Sequence, residues 1–264
     1  MRHSMDLRAN MENVAIILNR PKYPGNIGSA ARCAKNMGID RLIVVSSSGY
    51  EADQIRMMAT HCAGDIVENI AYVATLREAL AGFHYVVGTT ARVGRTILKR
   101  HMVEPSTMGE KLVDISQNNT IALLFGPEDR GLTNEELRFC DLLVTIPTAG
   151  TMRSINLSHA VMIICYEVFR ARHPSQVQFT PRRADVGEME NMYEHMKDIF
   201  LKINFINPEN PDYFMINIRN FFSRMNLTSR DVKILRGICH QIDLYGQGKT
   251  KDLTRSDGKL KKSE

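Results

Sequence analysis

The sequence predicts an α/β fold in which a mostly parallel β-sheet carries helices on both faces. Along most of the chain, short apolar runs of strand length alternate with segments whose apolar residues recur at helical spacing. The runs are continuously apolar, which is typical of strands that are buried on both faces of a parallel sheet. Each run also stops abruptly at a polar loop that contains Gly or Pro.

The predicted elements follow in order along the chain. The strands are expected at residues 14–18, 41–45, 66–70, 85–88, 121–125 and 142–146. The helices of the same region are expected at residues 27–37, 54–60, 75–81, 105–116 and 156–172. Gly38 is a candidate C-cap, and Pro105 stands at the first position of its helix, where proline is favoured.

The composition changes after residue 172 and predicts a division into domains. The predicted parts are a first domain at residues 1–172, a linker at 173–187, a small helical extension at 188–245 and a disordered basic tail at 246–264. The helical patterns of the extension cover residues 188–203, 212–225 and 228–245. Thr228 and Ser229 are both candidates to cap the last of these helices.

The composition is that of a soluble globular protein, with 44% hydrophobic and 24% charged residues. A formal charge of +5 favours a polyanionic partner such as nucleic acid, although many proteins of this charge bind none. Five widely spaced cysteines, an odd number, indicate reduced thiols and a cytoplasmic protein. We see no signal peptide, no apolar run long enough to span a membrane and no histidine spacing typical of a metal site, so we expect no membrane association and no metal.

Polar loops follow the last two predicted strands of the first domain, and we expect the functional site there. In an open α/β sheet, ligands bind beyond the carboxyl ends of the strands. Gly126 and Gly131 allow the backbone to approach a ligand closely, and Glu128 places a carboxylate between them. The second loop leads to Ser154 and Asn156 directly before an apolar helix, whose first N–H groups have no partner within the helix.

Asn26 and Arg32 are further polar candidates, and they follow the first predicted strand. From a helix that starts after Asn26, Arg32 in the second turn can point toward the strand ends that carry Glu128. The alternative is that Asn26 only caps the helix, while Arg32 and Glu128 are ordinary solvated side chains.

Several common enzyme motifs are absent from the sequence. The glycines near Asn26 do not fit the GxGxxG pattern of dinucleotide-binding folds, and the loop from Gly126 to Gly131 lacks the Lys-Ser/Thr of a P-loop. The sequence also contains neither GxSxG nor HExxH. These absences disfavour a Rossmann-type nucleotide enzyme, an α/β-hydrolase and a zinc protease.

Three segments of the chain resemble the motifs of the SPOUT superfamily of RNA methyltransferases, in their order and approximate spacing. They read VAIILNRPKYPGNIGSAARCAKNMGI, LLFGPEDRGLTNEEL and TIPTAGTMRSINLSHAVMIICYE. The extension, which includes NPENPDYFMINIRNFFSRMNLTSRDVKILRGI, is similar to that of the TrmJ-type tRNA 2′-O-methyltransferases. Together these segments span most of the chain.

The resemblance implies a fold with a C-terminal trefoil knot, S-adenosylmethionine as the methyl donor, tRNA as the substrate and a homodimer whose active sites are completed across the interface. Knots are otherwise nearly absent from proteins, so no pattern of residues would predict one. The cofactor-binding residues that the resemblance implies are Thr89, Thr90, Ala91, Phe125, Gly126, Glu128, Gly131, Ile146, Pro147, Ser154, Ile155 and Leu157.

The same resemblance implies methylation of a ribose 2′-hydroxyl, with cytidine or uridine at position 32 of the anticodon loop as the target. The catalytic residues it implies are Asn26, Arg32, Glu128, Ser154 and Asn156. Because a guanidinium is hardly ever deprotonated, we expect Arg32 to bind the adjoining phosphate and to stabilise the developing alkoxide.

Basic residues could provide a surface for RNA phosphates, or they could simply be solvated. The candidates are Arg92, Arg219, Arg224, Arg230, Lys233 and Arg236, together with the tail residues Lys249, Lys251, Lys259, Lys261 and Lys262. Two functional alternatives stay open beside the main hypothesis. One is methylation of another tRNA position or of rRNA, and the other is a catalytically silent RNA-binding relative.

Overall fold

The computed structural model describes residues 7–91, 102–149, 154–173 and 180–247. These residues form two compact units, which divide between Glu188 and Met189. Arg92 and the tail from residue 248 onward lie outside the described residues. No helix among the described residues is long and apolar enough to cross a membrane.

The first unit is organised around a sheet of seven parallel strands. The strands of the described residues are β1 (Leu7–Arg8), β2 (Val14–Asn19), β3 (Arg41–Val45), β4 (Ala71–Val73), β5 (Tyr85–Thr89), β6 (Met102–Val103), β7 (Ile121–Phe125), β8 (Leu142–Val144) and β9 (Arg172–His173). The seven-stranded sheet has the order β4-β3-β2-β7-β5-β8-β6, and β1 pairs separately with β9 in the antiparallel sense. β2, β7, β5 and β8 are therefore neighbours, and their carboxyl ends meet at one edge.

The helices of the first unit are α1 (Pro24–Asn36), α2 (Ala52–Ala59), α3 (Gly64–Glu68), α4 (Leu76–Leu80), α5 (Pro105–Ile115), α6 (Asn134–Leu137) and α7 (Leu157–Arg170). α8 (Val186–Lys202) begins at the end of this unit, and the second unit continues with α9 (Pro211–Phe222) and α10 (Ser229–Gly246). Short 3-10 turns lie at Met11–Asn13 and His61–Ala63.

The central strands bury both of their faces. In β2, Val14, Ile16 and Leu18 join an apolar cluster with residues of α1, α5 and α7, whereas Ala15 and Ile17 join a second cluster with residues of α4 and the α6 region. Successive side chains of a strand point to opposite faces, so the two clusters lie on opposite sides of the sheet. The predicted class, a mostly parallel sheet with helices on both faces, is confirmed.

Two local predictions are wrong. Residues 66–70 do not form a strand, because Gly64–Glu68 is the short helix α3 and the strand follows at β4. Ile66 and Ile70 are both buried at a spacing of four residues, which is helical rather than extended. α1 begins at Pro24 and not after Asn26, since proline at the first helical position already has the required φ.

Residues 180–188 belong to the first unit and pack on the rest of it. Arg183 is buried, its guanidinium lies 3.0 Å from Asp141 Oδ1 and 5.0 Å from the centre of the Tyr85 ring, and its N–H donates to Asn119 Oδ1 at 2.9 Å. Burial, with a further contribution from Asp141, raises the pKa of Tyr85 to about 12, so this phenol stays neutral. The described part of the predicted linker is therefore attached to the domain that precedes it.

The second unit is a small helical bundle. Its buried side chains come from all three helices: Met192, Met196 and Ile199 of α8, Met215 of α9, and Val232 and Cys239 of α10. Thr228 caps α10, and its side chain and that of Asp231 form a reciprocal capping box.

Candidate active site

A cavity of about 510 Å³ opens at the carboxyl ends of β5, β7 and β8. These strands are neighbours in the sheet, so the loops that follow them converge on one edge. Every cofactor-binding residue implied by the resemblance lines this cavity except Pro147. Those lining it are Thr89, Thr90, Ala91, Phe125, Gly126, Glu128, Gly131, Ile146, Ser154, Ile155 and Leu157.

Sequence reasoning missed part of the lining. The missed residues are Leu132, Val144 and Ala160, whereas Pro127, Asp129 and Arg130 lie inside the stretch from Gly126 to Gly131 that the resemblance implies. Most of them lie inside or next to loops whose other residues are in the predicted set. Ala160 could have been found from helical spacing, because it lies one turn after Leu157 on α7.

The loop after β7 closes on itself at its two glycines. Gly131 N–H donates to the Pro127 carbonyl at 2.8 Å, and Gly131 has a φ of +67°, a conformation that favours glycine. A Cβ on Gly126 would lie 2.4 Å from the backbone of Gly131 and of Leu132. A side chain at Gly126 would therefore clash with the loop backbone, and one at Gly131 would strain it.

Glu128 extends from this loop to the start of α1. Its carboxylate accepts hydrogen bonds from Lys22 N–H at 2.7 Å, from Tyr23 N–H at 3.4 Å and from Asn26 Nδ2 at 2.7 Å. A helix start has unpaired N–H groups and favours negative charge, so the carboxylate stabilises this end of α1. The alternative of Glu128 as a loop carboxylate in water is wrong.

Asn26 connects Glu128 to the loop after β8. Its Oδ1 accepts a hydrogen bond from Asn156 Nδ2 at 3.2 Å. Asn156 in turn caps α7, because its Oδ1 accepts from Ser158 N–H at 2.9 Å and from His159 N–H at 3.4 Å. Asn26 is thus a link between segments and not a helix cap, and the strand ends that carry Asn26, Glu128 and Asn156 do converge.

A second carboxylate, Glu136, binds the start of the loop between β2 and α1, whose end is bound by Glu128. Glu136 was not identified from the sequence. It is buried, pairs with the Arg20 guanidinium, and accepts from Asn19 Nδ2 and from Thr133 N–H, each at 2.8 Å. Thr133 and Glu136 form the capping box of α6, a pattern readable in the sequence as Thr-Asn-Glu-Glu. The loop between β2 and α1 is therefore bound by Glu136 at its start and by Glu128 at its end.

Ser154 and Arg32 are placed differently. Ser154 is exposed on the cavity wall. Arg32 is also exposed, but it does not line the cavity, and its guanidinium makes no hydrogen bond or ion pair with any described residue. It points away from the core side of α1, which carries Ile27 and Ala31. Within one chain, hydrogen bonds join Asn26, Glu128 and Asn156, and Ser154 lines the cavity with Glu128. No hydrogen bond or ion pair of the described residues joins Arg32 to this group.

The thiols near α1 and α7 are buried and uncharged. Cys33 Sγ lies 3.7 Å from the Ser158 carbonyl oxygen, to which it can donate. Burial raises the pKa of the Cys33 thiol, and the positive charge of Arg32 offsets part of this effect. Burial raises the pKa of the Cys165 thiol as well. All five cysteines lie among the described residues and none is in a disulfide, and Cys33 and Cys165 stay neutral thiols at neutral pH.

In the second unit, Arg219 links α9 to α8. Its guanidinium binds both carboxylate oxygens of Glu190, with Nη2 at 2.7 Å from Oε2, and lies 4.3 Å from the centre of the Tyr193 ring. Arg219 is therefore engaged by Glu190 within the unit, and its contact with RNA phosphates stays a prediction. The other candidates of this unit, Arg224, Arg230, Lys233 and Arg236, are exposed.

The cavity is suited to a small, flexible ligand. Its walls present loop backbone around Gly126, the hydroxyl of Ser154 and the apolar side chains of Ile146, Ile155 and Leu157. Its size falls within the range of about 300–1,000 Å³ that is common for small-molecule sites. Within the described ranges no group of three His, Cys, Asp or Glu residues could hold a metal ion.

Models of two known families match the chain. Residues 13–166 match the SpoU rRNA Methylase family, and residues 187–255 match the C-terminal domain of the tRNA methyltransferase TrmJ. The first match covers nearly all of the three segments that resemble SPOUT motifs, and the second covers the segment of the extension that resembles the TrmJ type.

Known proteins are similar over nearly the full length. A tRNA (cytidine/uridine-2'-O-)-methyltransferase TrmJ from Klebsiella pneumoniae is 37% identical over 90% of this chain and 100% of its own length. A TrmJ from Photorhabdus laumondii is 33% identical over 90% of this chain and 99% of its own. The crystal structure of TrmJ from Z. mobilis ZM4 shares the fold with a TM-score of 0.74 and 24% identity, over 87% of this chain and 98% of its own.

A further solved structure, a probable methylase family protein from Haemophilus influenzae, is 27% identical with a TM-score of 0.57 and covers 91% of this chain and all of its own. The trefoil knot stays a prediction from the SPOUT resemblance. The family model, the curated relatives and the shared fold agree with one another, and the chain belongs to the SpoU methylase family as a methyltransferase of the TrmJ type.

Proposed function

We propose that this protein transfers a methyl group from S-adenosylmethionine to a ribose 2′-hydroxyl of tRNA. The observation that carries the proposal is that all three SPOUT-like segments meet beside one cavity. Asn26, Glu128 and Asn156, one from each segment, are joined there by hydrogen bonds. Curated relatives that bear the name tRNA (cytidine/uridine-2'-O-)-methyltransferase match nearly the whole chain, which supports the same reaction. Such an enzyme would act in the cytoplasm.

The residues present fit this cofactor. The loop from Gly126 to Gly131 and the stretch from Ser154 to Leu157 would hold it through backbone groups, while Ile146 and Ile155 would contact its apolar parts. The cofactor supplies a methyl group that is already electrophilic, on a sulfonium. The protein then has to align the acceptor oxygen with that methyl, and alignment of this kind can contribute about 7–11 kcal/mol to lowering the barrier.

Asn26, Glu128 and Asn156 serve this alignment by holding the segments together. Because their side chains bond to one another and to helix N-termini, we assign them a positioning role. Ser154 is exposed on the cavity wall, where its hydroxyl can bind cofactor or ribose. Arg32 would bind the phosphate next to the acceptor ribose and stabilise the developing alkoxide, with the proton leaving to phosphate or water.

A homodimer would explain the position of Arg32. Its guanidinium faces outward from α1, and α7, which packs beside α1, exposes Tyr166 and Phe169 to 47% and 46%. Exposed aromatic residues on a packed helix suit contact with a second copy. In such a dimer Arg32 would complete the cavity of the partner subunit.

Mixed dimers test this arrangement. Arg32→Ala and Ile155→Trp, which fills the cavity, should each abolish turnover as homodimers. If Arg32 acts across the interface, unfolding and refolding the two variants together should restore roughly a quarter of the activity, since half of the dimers are mixed and each has one intact site. No recovery, with mixed dimers demonstrated by mass spectrometry, would place Arg32 in its own chain's site.

The finer substrate assignment is cytidine or uridine at position 32 of the anticodon loop, as the TrmJ resemblance implies. Nucleoside mass spectrometry of tRNA from cells with and without this gene tests reaction and position together. Purified protein with S-adenosylmethionine and an unmodified tRNA transcript should add a 2′-O-methyl group at that position. Cofactor binding without methyl transfer to any RNA would instead identify a silent relative.

A second candidate substrate is rRNA. The matching family model carries the description SpoU rRNA Methylase, which favours this alternative. Parallel assays with purified ribosomal RNA and with tRNA distinguish the two. Methylation of rRNA alone would overturn the tRNA assignment.

A further inference from the structure

The backbone of the loop between β2 and α1 is held by several neighbours. Arg20 N–H donates to the Val45 carbonyl at 2.9 Å, and Tyr50 Oη donates to the Pro21 carbonyl at 2.7 Å. Pro21 and Pro24 also restrict their own φ angles. The loop is therefore rigid before any ligand binds.

Tyr23 is the large apolar side chain that this rigid loop leaves in solvent. Its N–H is held by Glu128 at 3.4 Å, but its side chain is 54% exposed and gives no capping hydrogen bond to α1. Lys22 Nζ lies 5.7 Å from the centre of its ring. The exposed side chain of Met58 lies against Gly25 and extends the apolar surface.

A preorganised aromatic ring beside a lysine has the chemistry that binds single-stranded nucleic acid. Bases unstacked from a loop stack on aromatic side chains, and a neighbouring cation binds the phosphate. Glu128, which holds Tyr23, also lines the cavity, so the ring is tied directly to the proposed methyl-transfer site.

We infer that Tyr23 is a stacking platform for a base of the RNA loop next to the acceptor ribose, with Lys22 bound to an adjacent phosphate. This inference rests on the proposed function and adds a substrate-binding residue to it. Little side-chain entropy would be lost on binding, because the ring has two torsions and stands on a fixed backbone.

Substitutions at Tyr23 test the role of its ring. Tyr23→Ala should raise the KM for an unmodified tRNA transcript by roughly 5- to 100-fold, the range expected for the loss of one stacked base. Tyr23→Phe should keep nearly the original KM, whereas Tyr23→Leu, apolar but not aromatic, should resemble Tyr23→Ala. Calorimetry should show unchanged S-adenosylmethionine affinity in all three. The matched control is Tyr72→Ala, on the edge strand β4, where a tyrosine is 51% exposed.

A direct spectroscopic readout is available because the chain contains no tryptophan. In Tyr23→Trp, the indole emission should be quenched on addition of the tRNA transcript, while Tyr72→Trp should show no such change. Quenching by an isolated anticodon stem-loop would place the stacked base near the target nucleotide.

Two results would overturn the inference. One is an original KM for tRNA in Tyr23→Ala, and the other is an emission of Tyr23→Trp that saturating tRNA leaves unchanged. A shift of Tyr23→Ala to a smaller oligomer, with tRNA-insensitive emission of Tyr23→Trp, would assign the ring to a subunit interface instead. If the unaltered protein methylates no RNA, it is the proposed function that fails, and the binding experiments still report on Tyr23.

Discussion

Asn26 and Glu128 lie 102 residues apart in the sequence and are joined by a hydrogen bond of 2.7 Å between Nδ2 and Oε1. Asn26 also accepts a hydrogen bond from Asn156, so one amide connects the loops that follow three strands. The geometry of the proposed site depends on this amide. The loops after β7 and β8 line the cavity, and the loop after β2 leads into α1, the helix that carries Arg32.

Replacing Glu128 with glutamine tests the connection. Glutamine has nearly the same shape, but its amide nitrogen cannot accept a hydrogen bond, so at least one of the donors held by Glu128 loses its partner. We expect the free energy of unfolding in urea to fall by about 1–3 kcal/mol and methylation to slow. The control is Glu135→Gln, an exposed carboxylate in the first turn of α6, which should change neither quantity appreciably. Equal stability of the two variants would contradict the role of Glu128.

Glu136 should be more sensitive to substitution than its partner Arg20. Glu136→Ala removes the acceptor shared by Asn19, Arg20 and Thr133 N–H, and we expect a loss of about 1–3 kcal/mol in urea unfolding. Arg20→Ala should cost less, because the Arg20 side chain is 50% exposed and the carboxylate keeps its other two donors. The reverse order of stabilities would show that the Glu136 carboxylate without its cation costs more than the loss of all three hydrogen bonds.

His84 should make stability depend on pH. Burial, followed by the positive charge of Arg182, lowers the pKa of His84 below its ordinary value of 6.5. Arg182 Nε donates to His84 Nε2 at 3.0 Å, a contact that a protonated ring cannot accept. The unfolded chain therefore binds a proton more readily, so stability is retained above about pH 6.5 and declines as the pH falls below it. Urea melts between pH 5 and 8 should show this decline, and His84→Gln should reduce it.

Arg183 should contribute to the stability of the first unit. Arg183→Met keeps much of the buried volume but leaves Asp141 without its buried cation, so we expect a clearly lower Tm. A chain that ends at residue 172 should be less stable than one that ends at residue 188, since only the longer chain keeps Arg183 on Asn119 and Asp141. Circular dichroism melting measures both effects, and equal Tm values would restore the boundary predicted from the sequence.

Two arginines of the extension should differ in their effects. Arg219→Ala leaves the buried carboxylate of Glu190 unpaired, so it should lower the stability of the second unit. Arg230→Ala, at an exposed position, should leave stability unchanged and, if it binds phosphate, weaken tRNA binding with a shallower salt dependence. Filter binding at several salt concentrations, together with thermal melting, separates the two roles.

Local patterns predicted most of the strands and helices, because burial on two faces and helical periodicity can both be recognised from residues that are close together in the sequence. Residues 66–70 show the limit of that reasoning. Ile66 and Ile70 fit a short apolar strand as well as one face of a helix, and only packing against α1 decides for the helix. Local patterns could not predict the ion pair of Arg219 either, since its partner Glu190 lies 29 residues away.

By itself, the sequence determined the parallel α/β class, the strand ends at which the site lies, and most of the cavity lining through its resemblance to a family. These properties depend on local patterns and on motifs that stand together in the chain. The tertiary structure alone decided that Glu128 and Glu136 both bind the loop between β2 and α1, that Asn26 links segments instead of capping a helix, and that Arg32 does not line the cavity of its own chain. Those facts depend on which distant side chains meet, and that is set by strand order and helix packing and not by neighbouring residues.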